Sequence, residues 1–363
     1  MTSTVDSTPA DPQLDPDKLM AFVFTAVGEV GATLNTALAV LGDKLGYYRA
    51  LAERPGLTPT ALAEATGTDA RYAREWLGAQ AAGGWVDHDP ETGGYTLPLE
   101  HAVALTDPSS PAYLPGLFQL AVGTVAGSQR VLEAARNGSG VGWHEHTDDV
   151  HTGCERFFQP SYQAYLVAEW LPALDGVLAK LERGATVADI GCGHGASTIL
   201  MARAFPASRF FGSDLHAESV RTAGRRAAEA GVGDRAEFEV ASAQGFNGHR
   251  FDLVTTFDAL HDMGDPVGAA RRVREQLAAD GTWMIVEPIA GDQVQDNLNP
   301  VGRTYYGFST LLCTPGSLSQ PVGAALGTQA GPARLRDVTT AAGFTRFRVA
   351  ATTPFHMVLE VRP

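Results

Sequence analysis

The sequence predicts an α/β fold, an open and mainly parallel sheet wrapped by helices, preceded by a smaller helical domain. Three observations predict it. The run Val187-Ala-Asp-Ile-Gly-Cys-Gly-His-Gly195 joins a short apolar stretch to three alternating glycines. From there to the end of the chain, apolar runs alternate with helix-patterned segments and finish in two adjacent strand-like runs. Ahead of them, residues 57–97 read as helix, turn, helix and hairpin.

The glycine run is the most specific of the three. Thr186 to Ile190 is short, mostly apolar and rich in β-branched residues, as a strand buried on both faces would be. Gly191, Gly193 and Gly195 permit turns and backbone approaches that a Cβ would block. Ala196 to Ala204 then reads as a helix, whose free N–H groups favour a ligand carrying negative charge. Such a turn at the carboxyl end of a strand is where open α/β sheets bind ligands. The spacing, Asp189-x-Gly191-x-Gly193-x-Gly195, is not the G-x-G-x-x-G of dinucleotide sites.

The following elements fall in order. Arg209 to Asp214 is a strand ending in an acid, 19 positions after Gly195. An acid so placed can bind two ribose hydroxyls, and it can equally cap the helix that follows, His216 to Ala230. Ala236–Val240 and Phe251–Thr256 are the third and fourth strands. A helix from Asp265 to Ala278 leads to the fifth, Thr282–Val286, which ends at Glu287-Pro288. Phe347–Ala351 and His356–Val361 close the chain as a hairpin. Residues 289–332 form a long insert before the last helix, and inserts of that length have structure or function of their own. Its segment Arg303 to Cys313 reads as an apolar helix, with Tyr305, Tyr306 and Phe308 expected over an acceptor pocket or simply packed in the core.

The front of the chain reads as a winged helix. Thr58 or Thr60 starts one helix, Asp69 caps a second over Ala70–Ala82, and Trp85–His88 with Gly94–Leu97 form the wing. Its charge argues against nucleic acid. Residues 1–180 carry a net −12, against −2 for the remainder, and Arg71 and Arg74 are the only bases on the second helix. A dimerisation and substrate-covering role fits better. Lys18 to Leu41 is apolar but interrupted by Glu29, Asn35 and several threonines, and is expected to be a buried helix rather than a membrane span. Tyr113–Ala135 and Gln159–Leu181 read as long helices, the second kinked at Pro172. Tyr162 on that second helix is expected at the substrate. The linker between them holds His144, His146 and His151 among acids. The spacing matches no common zinc pattern, so a polar loop at the substrate mouth is expected there and no metal centre. Residues 1–17 read as a disordered tail. Three widely spaced cysteines and the absence of a signal-peptide pattern point to the cytoplasm.

These segments give domains at 18–110 (winged helix, dimerisation), 111–182 (helical connector and substrate cap) and 183–363 (cofactor binding and catalysis), with 289–332 as a lid. The glycine turn, together with Phe257-Asp-Ala-Leu-His-Asp-Met-Gly-Asp-Pro266, Asn299-Pro-Val-Gly-Arg303 and Leu312-Cys-Thr-Pro315, resembles class I S-adenosylmethionine-dependent methyltransferases. The likeness is to bacterial members with an N-terminal winged helix, and more distantly to plant-type and antibiotic O-methyltransferases. It extends from about Lys18 onward. It implies a Rossmann-like seven-stranded methyltransferase sheet whose last strand is antiparallel. It implies S-adenosylmethionine as cofactor, S-adenosylhomocysteine as product, a small-molecule acceptor, and a homodimer acting on neither nucleic acid nor membrane. By the same resemblance His261 is the general base for an oxygen acceptor, with Glu287 or Asp262 orienting it. Asp189, Gly191, Gly193, Gly195, Asp214, Leu215, Ser242, Ala243, Phe257 and Asp258 are then expected around the cofactor. Two positions depart from the family pattern: Ala241-Ser242 stands where a G-D pair is usual, and Phe257 stands where a basic residue is. Two rival functions use the same features. One is cofactor-assisted decarboxylation or rearrangement, and the other is a cofactor-sensing transcription regulator.

Overall fold

A computed structural model describes residues 14–246 and 250–363. Residues 1–13, most of the expected tail, lie outside the described residues. The tail reading ends early, because Asp15 caps a helix that begins at Pro16 by accepting from the N–H groups of Asp17 and Lys18. The chain divides into two compact units, one ending at Leu97 and the other beginning at Pro98. The helix Leu99–Thr106 therefore falls in the second unit, ahead of the boundary expected near residue 110.

In the first unit, Thr58 caps Pro59–Thr66 and Asp69 caps Ala70–Ala82. The wing is shorter than expected, with β1 (Asp87–His88) antiparallel to β2 (Tyr95–Thr96). Trp76 anchors this unit. Its ring meets Tyr47 and Tyr48 edge-on, and its indole N–H donates to Leu38 O at 2.9 Å. The first helix corrects an expectation. It spans Pro16–Leu45, and of its residues only Ala39 and Gly42 are buried. Phe22, Phe24, Val27, Val30 and Leu34 are each more than 60% exposed. The sequence reads as buried because it is apolar; within its own unit, nothing covers that face. By length and composition this is the one described helix able to cross a membrane.

The second unit carries a seven-stranded sheet: β3 (Thr186–Ile190), β4 (Arg209–Asp214), β5 (Ala236–Val240), β6 (Phe251–Phe257), β7 (Leu277–Pro288), β8 (Arg346–Thr352) and β9 (His356–Arg362). The spatial order is β5-β4-β3-β6-β7-β9-β8. The first five pair in parallel, and β9 runs antiparallel to both its neighbours. Alternate residues feed two cores. Val187, Leu253, Met284 and Val358 face the helical segment containing Tyr162, Leu166 and Trp170. Ala188, Val254, Ile285 and Leu359 face Ala270, Val273, Leu335 and Val338 on the other side. Burial on both faces explains why these central strands read as mostly apolar runs. The strand order reverses beside β3, so a crevice opens at the carboxyl ends of β3 and β6.

The helical segment differs from its sequence reading. The long helix expected over Tyr113–Ala135 is two, Pro115–Ala126 and Ser128–Asn137, divided at Gly127. The second expected helix begins earlier, at Asp148, contains Pro160, and continues as a nine-residue π-helix, Tyr162–Trp170. Proline lacks the N–H for an i→i−4 bond, and wider turns of this kind occur mostly at functional sites. After Pro172 the chain turns and resumes as Val177–Arg183. Two of these helices pack backbone to backbone. A Cβ on Gly153 would lie 2.4 Å from Leu120 N, and one on Gly116 would lie 2.4 Å from Phe157 N. Gly153→Ala is therefore expected to destabilise the protein by about 1–3 kcal/mol, since the obstructing atoms are main chain. Urea unfolding checks this: the midpoint falls while the slope is unchanged.

Candidate active site

A cavity of about 640 Å³ opens at the crevice of the sheet. Its walls come from the glycine turn after β3, the ends of β4 and β6, the helix carrying Tyr162, and the insert after β7.

The glycine turn is held open by backbone geometry. Gly191, Gly193 and Gly195 have φ of +73°, +52° and +79°, a region that side chains with a Cβ rarely enter. Behind it, Asp189 is 1% exposed. Its Oδ2 accepts from Ser197 Oγ (2.7 Å) and Thr198 Oγ1 (2.5 Å), and its Oδ1 accepts from Thr255 Oγ1 (3.0 Å). Burial raises its pKa, and those three hydroxyls oppose the shift. Asp189 does not line the cavity; it ties the turn to the next helix and to β6. Asp214 does line it. One of its oxygens accepts from Gly193 N at 2.9 Å and the other from His216 N at 2.8 Å. Each carboxylate oxygen keeps further acceptor capacity on the cavity side.

At the end of β6 the chain enters a strained turn. Asp258 has φ +48°, and its N–H donates to Val286 O at 2.8 Å. Its Oδ2 accepts from Tyr162 Oη at 3.0 Å and lies 3.5 Å from His356 Nε2. Its Oδ1 is buried with no hydrogen-bond partner. Strain of this kind, held by surrounding structure, is characteristic of working sites. Tyr162 is pushed well above its ordinary pKa by burial and by that carboxylate, so it stays a neutral donor.

His261 follows on the turn Leu260–Asp262 and is 3% exposed. Its Nδ1 lies 2.5 Å from Glu287 Oε2, while Glu287 Oε1 accepts from Leu260 N at 3.0 Å. One carboxylate thus fixes both the ring and the turn that carries it. Asp262 Oδ1 is 3.1 Å from His261 Nε2. Burial works to lower the imidazole pKa, but Asp262 and Glu287 outweigh it and raise the pKa well above the ordinary value. Glu287 is itself raised by burial, against the pull of His261. Glu287 thus holds Nδ1, while Nε2 faces Asp262 at the cavity.

The remaining sequence-predicted residues divide. Gly191, Gly193, Leu215, Ala243, Phe257, Asp262, Tyr305 and Phe308 line the cavity. Phe257 packs against Tyr162 with ring centres 5.1 Å apart. Gly195, Ser242, Tyr306 and Glu287 do not line it; Ala241 and Gln244 flank Ser242 there instead. Tyr305 is anchored from behind, donating to Phe355 O at 2.9 Å. The insert is stitched to the turn after His261: Gln320 Nε2 donates to Asp262 O (2.9 Å) and Ser317 Oγ to Met263 O (2.8 Å).

Sequence reasoning left several lining residues unassigned. His146 and His151 came from the polar linker, whose histidines signalled the site without fixing their roles. Glu155 bonds His194 Nδ1 at 2.7 Å and pairs with Arg226, tying the cap helix to the glycine turn. Cys154 and Cys313 both line the cavity and pack in one apolar cluster with Leu120, Val150 and Leu312.

Residues 181–314 match a methyltransferase domain, and residues 32–107 match an Rv2258c-like winged HTH domain. No curated protein matches the sequence. Among solved structures the chain is similar to the mitomycin 7-O-methyltransferase MmcR, at 20% identity, over 96% of this chain and 100% of that one, TM-score 0.69. It is similar to human N-acetylserotonin methyltransferase in complex with S-adenosylmethionine, at 17% identity, over 98% and 99%, TM-score 0.68. It is likewise similar to an O-methyltransferase family protein from Burkholderia thailandensis, at 18% identity, over 97% and 99%, TM-score 0.67.

Proposed function

We propose that this chain, which carries a methyltransferase domain behind an N-terminal winged helix-turn-helix domain, transfers the methyl group of S-adenosylmethionine to an oxygen of a small molecule, with His261 as general base. The observation that carries the proposal is His261, on the wall of the cavity that the glycine turn also lines and held from behind by buried Glu287.

The residues present fit the cofactor. The glycine turn offers backbone close to the ligand, Asp214 offers carboxylate oxygens for the ribose, and Phe257 offers a flat apolar surface beside it. Asp258 Oδ1, buried and unpartnered, suits a cationic group such as the methionine ammonium. Bound there, S-adenosylmethionine supplies a sulfonium methyl open to in-line displacement.

The chain's own part is positioning and proton removal. Glu287 holds His261 in the tautomer with its proton on Nδ1. Nε2 takes the acceptor's hydroxyl proton as the oxygen bonds to the methyl carbon. The methyl group would come from the sulfonium of S-adenosylmethionine, held by the glycine turn, Asp214 and Asp258. Leu120, Phe157, Phe158 and Leu312 give the pocket apolar walls that exclude water and favour a largely apolar acceptor.

The exposed apolar face of the helix Pro16–Leu45 supports a homodimer through the first unit. The acidic balance of the first half, with Arg71 already paired to Glu75, supports a wing that holds protein rather than nucleic acid. Glu29 within the apolar helix weighs against its spanning a membrane, and three free, widely spaced cysteines fit a reducing cytoplasm.

Calorimetry tests the reading first. Micromolar binding of S-adenosylmethionine and S-adenosylhomocysteine, followed by a gain of one methyl mass on hydroxylated acceptors, is expected. No binding of either at about 1 mM would overturn it.

A further inference from the structure

We infer that His261, Asp262 and Cys313 form a binding site for a thiophilic divalent cation such as Zn²⁺, one that shuts off the base while it is occupied. The inference about binding stands on geometry alone. Only its consequence for turnover rests on His261 being the general base.

The three side chains come from two separate elements. His261 and Asp262 lie on the turn after β6, and Cys313 ends the π-helical turn Ser309–Cys313 of the insert. One ligand atom from each lies within 4.8 Å of the others. A tetrahedral zinc ion with nitrogen, oxygen and sulfur ligands needs them roughly 3.3–3.7 Å apart. His261 Nε2 and Asp262 Oδ1 already approach to 3.1 Å. The widest separation, at most 4.8 Å, would have to close by about 1 Å for an ion to be bound by all three.

Three further features fit a metal better than a chance cluster. First, His261 gives its Nδ1 to Glu287, leaving Nε2 directed at the cluster. A carboxylate behind a histidine is the usual outer support of a metal-bound imidazole. Second, Asp262 Oδ1 is buried without a hydrogen-bond partner despite its approach to His261. Third, His146 is 8% exposed, lines the same cavity, and leaves both ring nitrogens unpartnered. It adds an unsatisfied polar group to the wall that the cluster shares, outside the three-residue cluster itself. An imidazole, a carboxylate and a thiol, with a fourth position left to water, form a donor set suited to zinc rather than to magnesium or calcium.

Binding needs no oxidant or reductant. The Cys313 S–H bond breaks, its proton goes to solvent, and the sulfur electron pair bonds the metal, so at least one proton is released per ion. The Nε2 lone pair is then engaged and cannot accept a proton from an acceptor hydroxyl.

Cobalt(II) titration of the full chain, reduced and without an affinity tag, tests the site directly. The expected result is one ion per chain, with a near-ultraviolet thiolate-to-cobalt band and the intense visible bands of four-coordinate cobalt. Zn²⁺ should displace both. Cys313→Ser should lose the thiolate band, and Cys154→Ser should keep it. Glu287→Gln should bind cobalt about 10–100-fold more weakly. No thiolate band in the wild-type chain, or a band that survives Cys313→Ser, would overturn the site. The activity arm is separate: Zn²⁺ should stop methyl transfer and a chelator restore it. A cobalt spectrum as expected, with turnover untouched by Zn²⁺, would keep the site and remove His261 as base.

Discussion

His261→Ala lowers kcat by about 10²–10⁴-fold with an oxygen acceptor, the usual span for loss of a general base, while S-adenosylhomocysteine binds as tightly as to the parent. The separation of the two effects follows from position. His261 stands on the turn Leu260–Asp262, whereas Asp214 and the glycine turn belong to β3 and β4. Removing the imidazole leaves Glu287 buried without its His261 partner, but Glu287 still accepts from Leu260 N. The turn therefore keeps one of its two ties. Single-turnover rates and calorimetry on the same preparation read the two quantities. Turnover unchanged within a factor of two would show that the acceptor atom is already nucleophilic.

The same pair sets the pH dependence. A base must be neutral to act, so kcat/KM falls as pH falls through the His261 pKa. Asp262 and Glu287 raise that pKa against burial, so the acid limb lies above the ordinary histidine value of about 6.5. Glu287→Gln removes one of the two carboxylates and moves the limb toward lower pH, together with a loss of rate from a less firmly held tautomer. A limb that stays in place in Glu287→Gln would leave Asp262 as the dominant neighbour.

Asp214→Ala weakens S-adenosylmethionine binding by about 10–100-fold. Its carboxylate holds Gly193 N and His216 N and keeps acceptor capacity for the ribose. Hydrogen bonds to a charged group contribute about 1.5–3 kcal/mol, and each 1.4 kcal/mol is tenfold in affinity. Asp214→Asn, which keeps one acceptor oxygen, should fall between the two. Calorimetry with S-adenosylhomocysteine measures all three. Affinity unchanged in Asp214→Ala would place the ribose elsewhere in the cavity.

Much of the fold was legible because local chemistry and final environment agree. Strands buried on both faces read as apolar runs, and Thr58, Asp69 and Asp265 cap the helices their positions announce. The glycine turn was legible for the same reason: its φ values admit few other residues. The cap segment was not, because Gly127 breaks a helix that propensity alone would continue and the π-helix after Pro160 satisfies no helical spacing rule. Asp189 was legible as important but not as a support for the turn. Only the folded chain brings Ser197, Thr198 and Thr255 onto its oxygens.

The sequence by itself determined the order of the strands along the chain, the glycine turn, the acid at the end of β4 and the histidine after β6. Each depends on residues close in the chain, where spacing dictates conformation. Tertiary structure alone decided which side chains meet. Glu287 reaches His261 across 26 positions, Tyr162 reaches Asp258 across 96, and Cys313 joins Asp262 from the insert after β7. Side chains so distant in the chain leave no periodic trace, because their approach is set by how the elements pack.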